Sequence, residues 1–253
     1  VETFATLFRE AFGGFPIISG RFIRHAFADR FQECVRTILY GQPAPTSELL
    51  RAITRLCATS HDQGRIDAIV SYNYDDLVER HMEARGVRFR SIYSEGQSPR
   101  TDELPIYHVH GYLPADGKEP HSGEIVFAED AYHTQFLDPY GWANITQLNL
   151  LRERTGLFLG HSMTDPNLRR LLDVAHRHTP DRRHYVVLRS PTPDEMECRT
   201  NGKKEQERME AFTRAFQSIQ EDALTDLGQS VLWVDSYEQV PLLLNQIRKA
   251  QRQ

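Results

Sequence analysis

From Ile66 onward, short apolar runs of strand length alternate with longer stretches of helical periodicity, and this alternation limits the possible folds more than any other feature. The strand-type runs are Ile66 to Tyr72 (IDAIVSY), Val87 to Tyr93, Ile106 to Val109, Glu124 to Phe127, Gly156 to Leu159, His184 to Leu188 and Ser230 to Val234. Helical patterns lie between most of them: Asp75 to Arg85, closed by Gly86, then Ala128 to Leu137, Trp142 to Glu153 and Asn167 to His176. Tyr237 to Lys249 follows the last run. Strands separated by helices need crossover connections, and crossovers produce parallel pairing. The expectation is an α/β, Rossmann-like fold: a mostly parallel sheet flanked by helices, with helical insertions.

The chain before Ile66 is helical in pattern. Residues 2–12 and 22–39 have helical spacing, the second with Ile23, Phe27, Phe31, Cys34, Val35 and Ile38 on one stripe. Gly41, Pro43 and Pro45 punctuate its end. Ser47 to Ser60 carries Leu49, Leu50, Ile53, Leu56 and Cys57 and reads as another helix. Asp194 to Leu227 is rich in Glu, Lys, Arg and Gln and reads as an exposed helical insertion, broken near Asn201-Gly202. A solvated face and a partner contact are both open readings of it. The organisation expected is one domain over residues 1–253: a helical segment 1–60, a core 61–190, the insertion 191–228, and a last strand and helix over 229–253.

A length of 253 residues suits one large α/β domain or two small ones. Apolar content of 40% and charged content of 26% place the chain among soluble globular proteins. A net charge of −5 argues against broad nucleic-acid binding. No apolar run reaches membrane-spanning length and no signal peptide opens the chain, so a cytoplasmic location is expected. The three cysteines, Cys34, Cys57 and Cys198, are far apart and form no CxxC pair. That argues against a disulfide framework and a Cys-rich zinc site, and places Cys34 and Cys57 in the core. The first residue is Val1 rather than Met, so the sequence is expected to begin inside a longer protein.

In open α/β sheets, ligands bind beyond the carboxyl ends of the strands. Asn73-Tyr74-Asp75 follows IDAIVSY, His110-Gly111 follows IYHV, and Gly160-His161-Ser162 follows GLFL. Arg189-Ser190 and Asp235-Ser236 follow the last two runs. The first three ends carry groups able to bind ribose hydroxyls or move protons. Structural readings stand beside the functional ones. Asp75 is as well placed to cap the next helix as to meet a ligand, and Ser162 to sit in a turn as to bind a sugar. Asp165, ahead of Pro166, reads as a helix cap. In HVHGYL, His108 and His110 would share one face of a regular strand. A metal pair needs at least one more ligand, and His121 and His133 offer no recognisable spacing. His110 at the strand end therefore reads as a single base and His108 as a core histidine; His161 reads as solvent-facing, with a place in the pocket lining as the alternative.

These three ends, in this order, resemble those of the sirtuin-like fold: an Asn-x-Asp, a His-Gly and a Gly-x-Ser, each after a strand. The strings SYNYDDLVE, HVHGYL and LFLGHSMTDPNL are more similar to the bacterial sirtuin-like group than to the protein deacylases. Several members of that group degrade NAD in defence against phages. The resemblance covers roughly residues 66–190. It departs from the pattern at two points. The two cysteine pairs of the deacylase zinc module are missing, which lowers a deacylase reading. The opening strand with its Gly-Ala-Gly phosphate loop also has no counterpart, since Gly13-Gly14 follows a helical pattern.

The resemblance implies an NAD glycohydrolase that releases nicotinamide and ADP-ribose, with NAD as substrate and no metal. It implies Asn73 and His110 as catalytic residues, with Asp75, Gly160 and Ser162 contacting NAD. It further implies an antiviral effector acting as a homo-oligomer, with a regulatory partner such as an ATPase or a nucleic-acid sensor. A module that senses NAD or ADP-ribose without turnover is the main alternative. A metal-dependent hydrolase built on His108 and His110 is a weaker one.

Overall fold

The computed structural model describes residue 6 and residues 16–41, 47–58, 66–117, 125–192 and 203–250. The alternation read from the sequence becomes parallel strands joined by helical crossovers. The chain divides into two compact units, residues 1–144 with 247–253, and residues 145–246.

The first unit holds β1 (Ile69–Ser71), β2 (Phe89–Ile92) and β3 (Leu104–His108), in the order β1-β3-β2 and all parallel. β3 is central; Leu104, Ile106 and His108 are buried on one face and Pro105 on the other. A parallel strand covered on both faces has no need of polar alternation. The crossover helix α1 (Leu77–Glu83) turns Glu79 and Met82, three residues apart, into the interior.

Before this sheet come helices α2 (Pro16–Phe27), α3 (Phe31–Tyr40) and α4 (Glu48–Cys57). The expected single helix over 22–39 is thus two helices. A 3-10 turn at Ala28–Arg30 separates them, with Ala28 in the left-handed region at φ 44°. The stripe is not buried along its length: Phe31 is buried, while Phe27 before the break is 41% exposed and Ile38 is 80% exposed. Phe31 joins Leu113 and Ile125 in a core cluster packed by Ile23, Val35, Tyr74 and Phe127. Ser47 caps α4, its hydroxyl accepting from Leu50 N at 3.3 Å.

The second unit holds β4 (Leu157–Phe158), β5 (His184–Arg189) and β6 (Gln229–Val234), again parallel, in the order β4-β5-β6. Helix α5 (Pro166–His178) crosses from β4 to β5. It buries Leu168, Leu171, Leu172 and Ala175, a stripe at helical spacing. Helix α6 (Lys203–Thr225) precedes β6 and buries Met209 and Leu224, while Phe212 and Ile219 stay exposed.

One expected strand does not form. Ile125 to Phe127 is irregular, because its polar backbone groups are satisfied without a ladder. Val126 N–H donates to His110 O at 2.8 Å, and Tyr74 Oη donates to Val126 O at 2.6 Å. Of the expected helix over 2–12 only Thr6 is described, and it is helical; Gly13-Gly14, His121, Cys198 and the break at Asn201-Gly202 lie outside the described residues. Among the described residues no helix is long and apolar enough to cross a membrane.

Candidate active site

Ser71 of β1 stands in parallel register with His108 of β3. Asn73 lies two residues beyond the first and His110 two residues beyond the second. The two expected catalytic residues therefore leave adjacent strands at the same carboxyl edge. Asn73 is exposed, and its backbone is tied to Ser71 Oγ, which accepts from Asn73 N and donates to Asn73 O, each at 3.2 Å. Tyr74 turns inward, and burial raises its phenol pKa. Asp75 is half-buried and precedes Asp76, the N-cap residue of α1; its Oδ1 accepts from Leu77 N at 3.1 Å, so it meets the helix start without being its cap. Burial holds its carboxyl above the usual aspartate value, with the neighbouring Glu79 acting in the same direction.

β3 ends at His108, and Val109-His110 form a turn, so the two histidines do not share one strand face as a regular strand would require. His110 is 4% exposed and sits between two tyrosines. Tyr72 meets it edge-on with ring centroids 4.8 Å apart, and Tyr132 meets it at 5.5 Å. His108 is buried, as expected of a core residue, but its neighbours are polar. Its Nδ1 donates to Asn73 O at 3.2 Å, and its Nε2 lies 2.6 Å from Glu79 Oε1. Ser91 Oγ also donates to Glu79 Oε1, at 3.0 Å. Both ring nitrogens of His108 are thus engaged by protein groups, which leaves neither for a metal. His133 is exposed on the helix over Glu129–Leu137.

Gly111 is required on two counts. Its φ is 100°, and a Cβ there would stand 2.9 Å from the Cα of Ile125. Only glycine lets the chain turn from His110 past the Ile125 segment.

In the second unit, Gly160 and Ser162 follow β4. Gly160 has φ 64°, and a Cβ would meet no described atom within 4 Å. The backbone is open to close approach there. Ser162 is exposed, with its hydroxyl 2.7 Å from Thr164 Oγ1. Met163 is buried yet left-handed, at φ 58°. Its N–H donates to His161 Nδ1 at 3.1 Å, and its carbonyl accepts from Arg169 Nη1 at 3.2 Å. His161 is therefore half-buried rather than solvent-facing, and burial lowers its pKa. Asp165 caps α5, accepting from Asn167 N at 2.8 Å and Leu168 N at 3.0 Å, with Pro166 at the first helical position. The left-handed Met163, unlike the freely left-handed Gly160, is a strained backbone position, a feature concentrated at ligand-binding loops.

Residues 67–214, more than half of the sequence, match the SIR2-like domain. The chain belongs to the SIR2-like domain family. It is 26% identical over 190 residues to the NAD(+) hydrolase ThsA of Enterococcus faecium, covering 73% of this chain and 38% of that protein. It is 32% identical over 135 residues to the NAD(+) hydrolase ThsA of Bacillus cereus (strain MSX-D12), covering 50% of this chain and 26% of that one. An uncharacterised protein of Sinorhizobium fredii (strain NBRC 101917 / NGR234) is 27% identical over 139 residues. The alignments with the two hydrolases therefore span well under half of those proteins' lengths. All three strand ends described above fall inside the SIR2-like match.

Sequence reading missed Tyr72 and Tyr132 as neighbours of His110, Glu79 as the partner of His108, and the strained backbone of Met163. One signal for Glu79 was available. It sits three residues before Met82 on the inward face of α1, a carboxylate where an apolar residue is expected. Tyr132 carried none, since its contact with His110 is made across a turn and a helix.

Proposed function

We propose that this SIR2-like chain is an NAD glycohydrolase, cleaving NAD to nicotinamide and ADP-ribose. The observation that carries the reading is the pairing of Asn73 and His110 at one edge, two residues past register-matched positions of β1 and β3. The relatives named NAD(+) hydrolase support the choice of substrate.

Breaking a glycosidic bond develops positive charge on the sugar, in an oxocarbenium-like transition state. In this reading His110 takes a proton from a ribose hydroxyl or from water, as an imidazole nitrogen can. The Asn73 amide both donates and accepts, and holds the nicotinamide ribose or the attacking water. Asp75 keeps Oδ2 for the nicotinamide carboxamide, while Oδ1 serves the helix. The resemblance assigns the open backbone at Gly160 and the hydroxyl of Ser162 to the adenosine ribose. The family match runs through residues 67–214 as one stretch, which supports reading the chain as a single sirtuin-like domain.

On the strength of the resemblance, we place the activity in antiviral defence, as an effector that depletes NAD. It works as a cytoplasmic homo-oligomer restrained by a partner such as an ATPase or nucleic-acid sensor. The isolated chain is then weakly active until assembled.

The test is nicotinamide release from NAD by the intact protein, alone and assembled, beside His110→Ala and Asn73→Ala. Loss of a general base or a positioning amide removes about 10²–10⁴ of rate. NAD binding without turnover in every assembly state would instead favour the sensing module.

A further inference from the structure

We infer that His108 and Glu79 act as a positioning pair for Asn73, holding its backbone carbonyl so that its side chain keeps one direction at the site. The inference rests on the reading of Asn73 as a group that touches NAD.

The carbonyl oxygen of Asn73 can only accept, so His108 Nδ1 carries the proton of their 3.2 Å hydrogen bond. That settles the ring's orientation and turns Nε2 toward Glu79 Oε1, 2.6 Å away. Glu79 is in turn held by Ser91 Oγ from β2. A chain of contacts thus runs from β2 through α1 and β3 to the loop after β1.

Asn73 O receives a second donor, Ser71 Oγ. Two donors on neighbouring strands fix the plane of the Asn73–Tyr74 peptide. The hydroxyl of Tyr74, bonded to Val126 O, anchors the far side of that peptide. The exposed Asn73 side chain projects from a backbone held at both ends.

Filling this space does not require charge. His108 is 1% exposed and Glu79 4% exposed, and a buried ionisable pair is seldom more stable than apolar residues of the same volume. What the pair adds is direction: a rigid ring with one nitrogen aimed at the Asn73 carbonyl and the other locked behind it. The arrangement has the form of an oriented ring whose second nitrogen is set by a carboxylate, here turned on a backbone group.

Two substitutions separate positioning from stability. In His108→Asn, the side-chain amide reaches the place of Nδ1 and keeps the bond to Asn73 O while abandoning Glu79. In His108→Gln, the amide reaches the place of Nε2 and keeps Glu79 while abandoning Asn73 O. We expect His108→Gln to stay close to wild type in thermal melting but to lose about ten- to hundredfold in kcat for nicotinamide release, with KM little changed. We expect His108→Asn to melt lower yet retain most of kcat.

A merely structural role would make kcat and melting fall together, and that parallel result would overturn the inference. So would full kcat in His108→Gln. Amide hydrogen exchange at Tyr74, whose N–H belongs to the peptide that His108 holds, gives a readout independent of turnover in the same variants. It should quicken in His108→Gln and hold in His108→Asn, and equal exchange in both would overturn the pair. A wild-type protein that never releases nicotinamide, alone or assembled, would sink the hydrolase reading, and the exchange result would still decide the role of His108 and Glu79.

Discussion

The rings of His110 and Tyr72 meet at 89°, the edge-on geometry that aromatic quadrupoles favour. Tyr132 packs against the same imidazole at 78°. A histidine that is 4% exposed between two such rings has little freedom to rotate. We expect Tyr72→Ala to lower kcat for nicotinamide release about tenfold or more by releasing the ring, and Tyr72→Phe to stay within a few-fold of wild type. Steady-state kinetics of the two variants would check this. Equal loss in both would assign the effect to the Tyr72 hydroxyl rather than to ring packing.

Gly111 and Gly160 share a positive φ but differ in surroundings. A Cβ on Gly111 collides with the Ile125 backbone, whereas a Cβ on Gly160 meets nothing nearby among the described residues. Gly160→Ala should therefore carry only the conformational cost of a left-handed residue, about 1–2 kcal/mol. Gly111→Ala should add the overpacking cost and reach about 3 kcal/mol or more. Urea unfolding of both variants measures the difference, and equal costs would contradict the contact at Ile125.

His184 supplies a pH dependence of stability. It is 3% exposed, and its Nδ1 accepts from Gly156 N at 3.0 Å. Burial above all, then the nearby Arg182 and His176, pulls its pKa from 6.5 to about 4. The unfolded chain therefore binds a proton at pH values where the folded chain does not. The stability linked to His184 is complete above about pH 6.5, falls as the pH drops toward 4, and changes no further below that. The whole step is about 3 kcal/mol, at roughly 1.4 kcal/mol per pKa unit. Melting temperatures between pH 7.5 and 4 would show the fall. His184→Asn, which keeps an acceptor for Gly156 N–H without a titrating ring, should flatten that part of the curve.

Asp165 satisfies two free N–H groups at the start of α5. Asp165→Ala should cost about 1 kcal/mol, within the usual range for a lost cap, and Asp165→Ser much less. Denaturant midpoints at neutral pH would measure both. A neutral effect of the alanine would mean that solvent serves those donors equally well.

Most of the architecture was legible in the sequence. Six of the seven strand-type runs became strands, with ends shifted by a few residues, because short apolar runs between helical patterns leave few other ways to bury themselves. The failures have separate causes. Ile125 to Phe127 has a strand's composition, but Tyr74 and His110 take up its hydrogen bonds. The apolar stripe over 22–39 is continuous in sequence, but Ala28 at φ 44° breaks the helix that would have carried it. Local pattern reports which residues seek burial. It does not report which distant groups will satisfy the backbone.

The site divides along the same line. By itself the sequence determined the order of strand and crossover, and so which residues stand at carboxyl ends: Asn73 and Asp75, His110 and Gly111, Gly160 and Ser162. Chain direction and side-chain chemistry suffice for that. Only the tertiary structure decided that His108, although it shares the HVHGYL string with His110, turns instead to Glu79, 29 residues earlier in the chain. It also decided that Tyr72 and Tyr132 bracket His110. Contacts of that kind depend on strand register and helix packing, which set distances between residues that no local spacing relates.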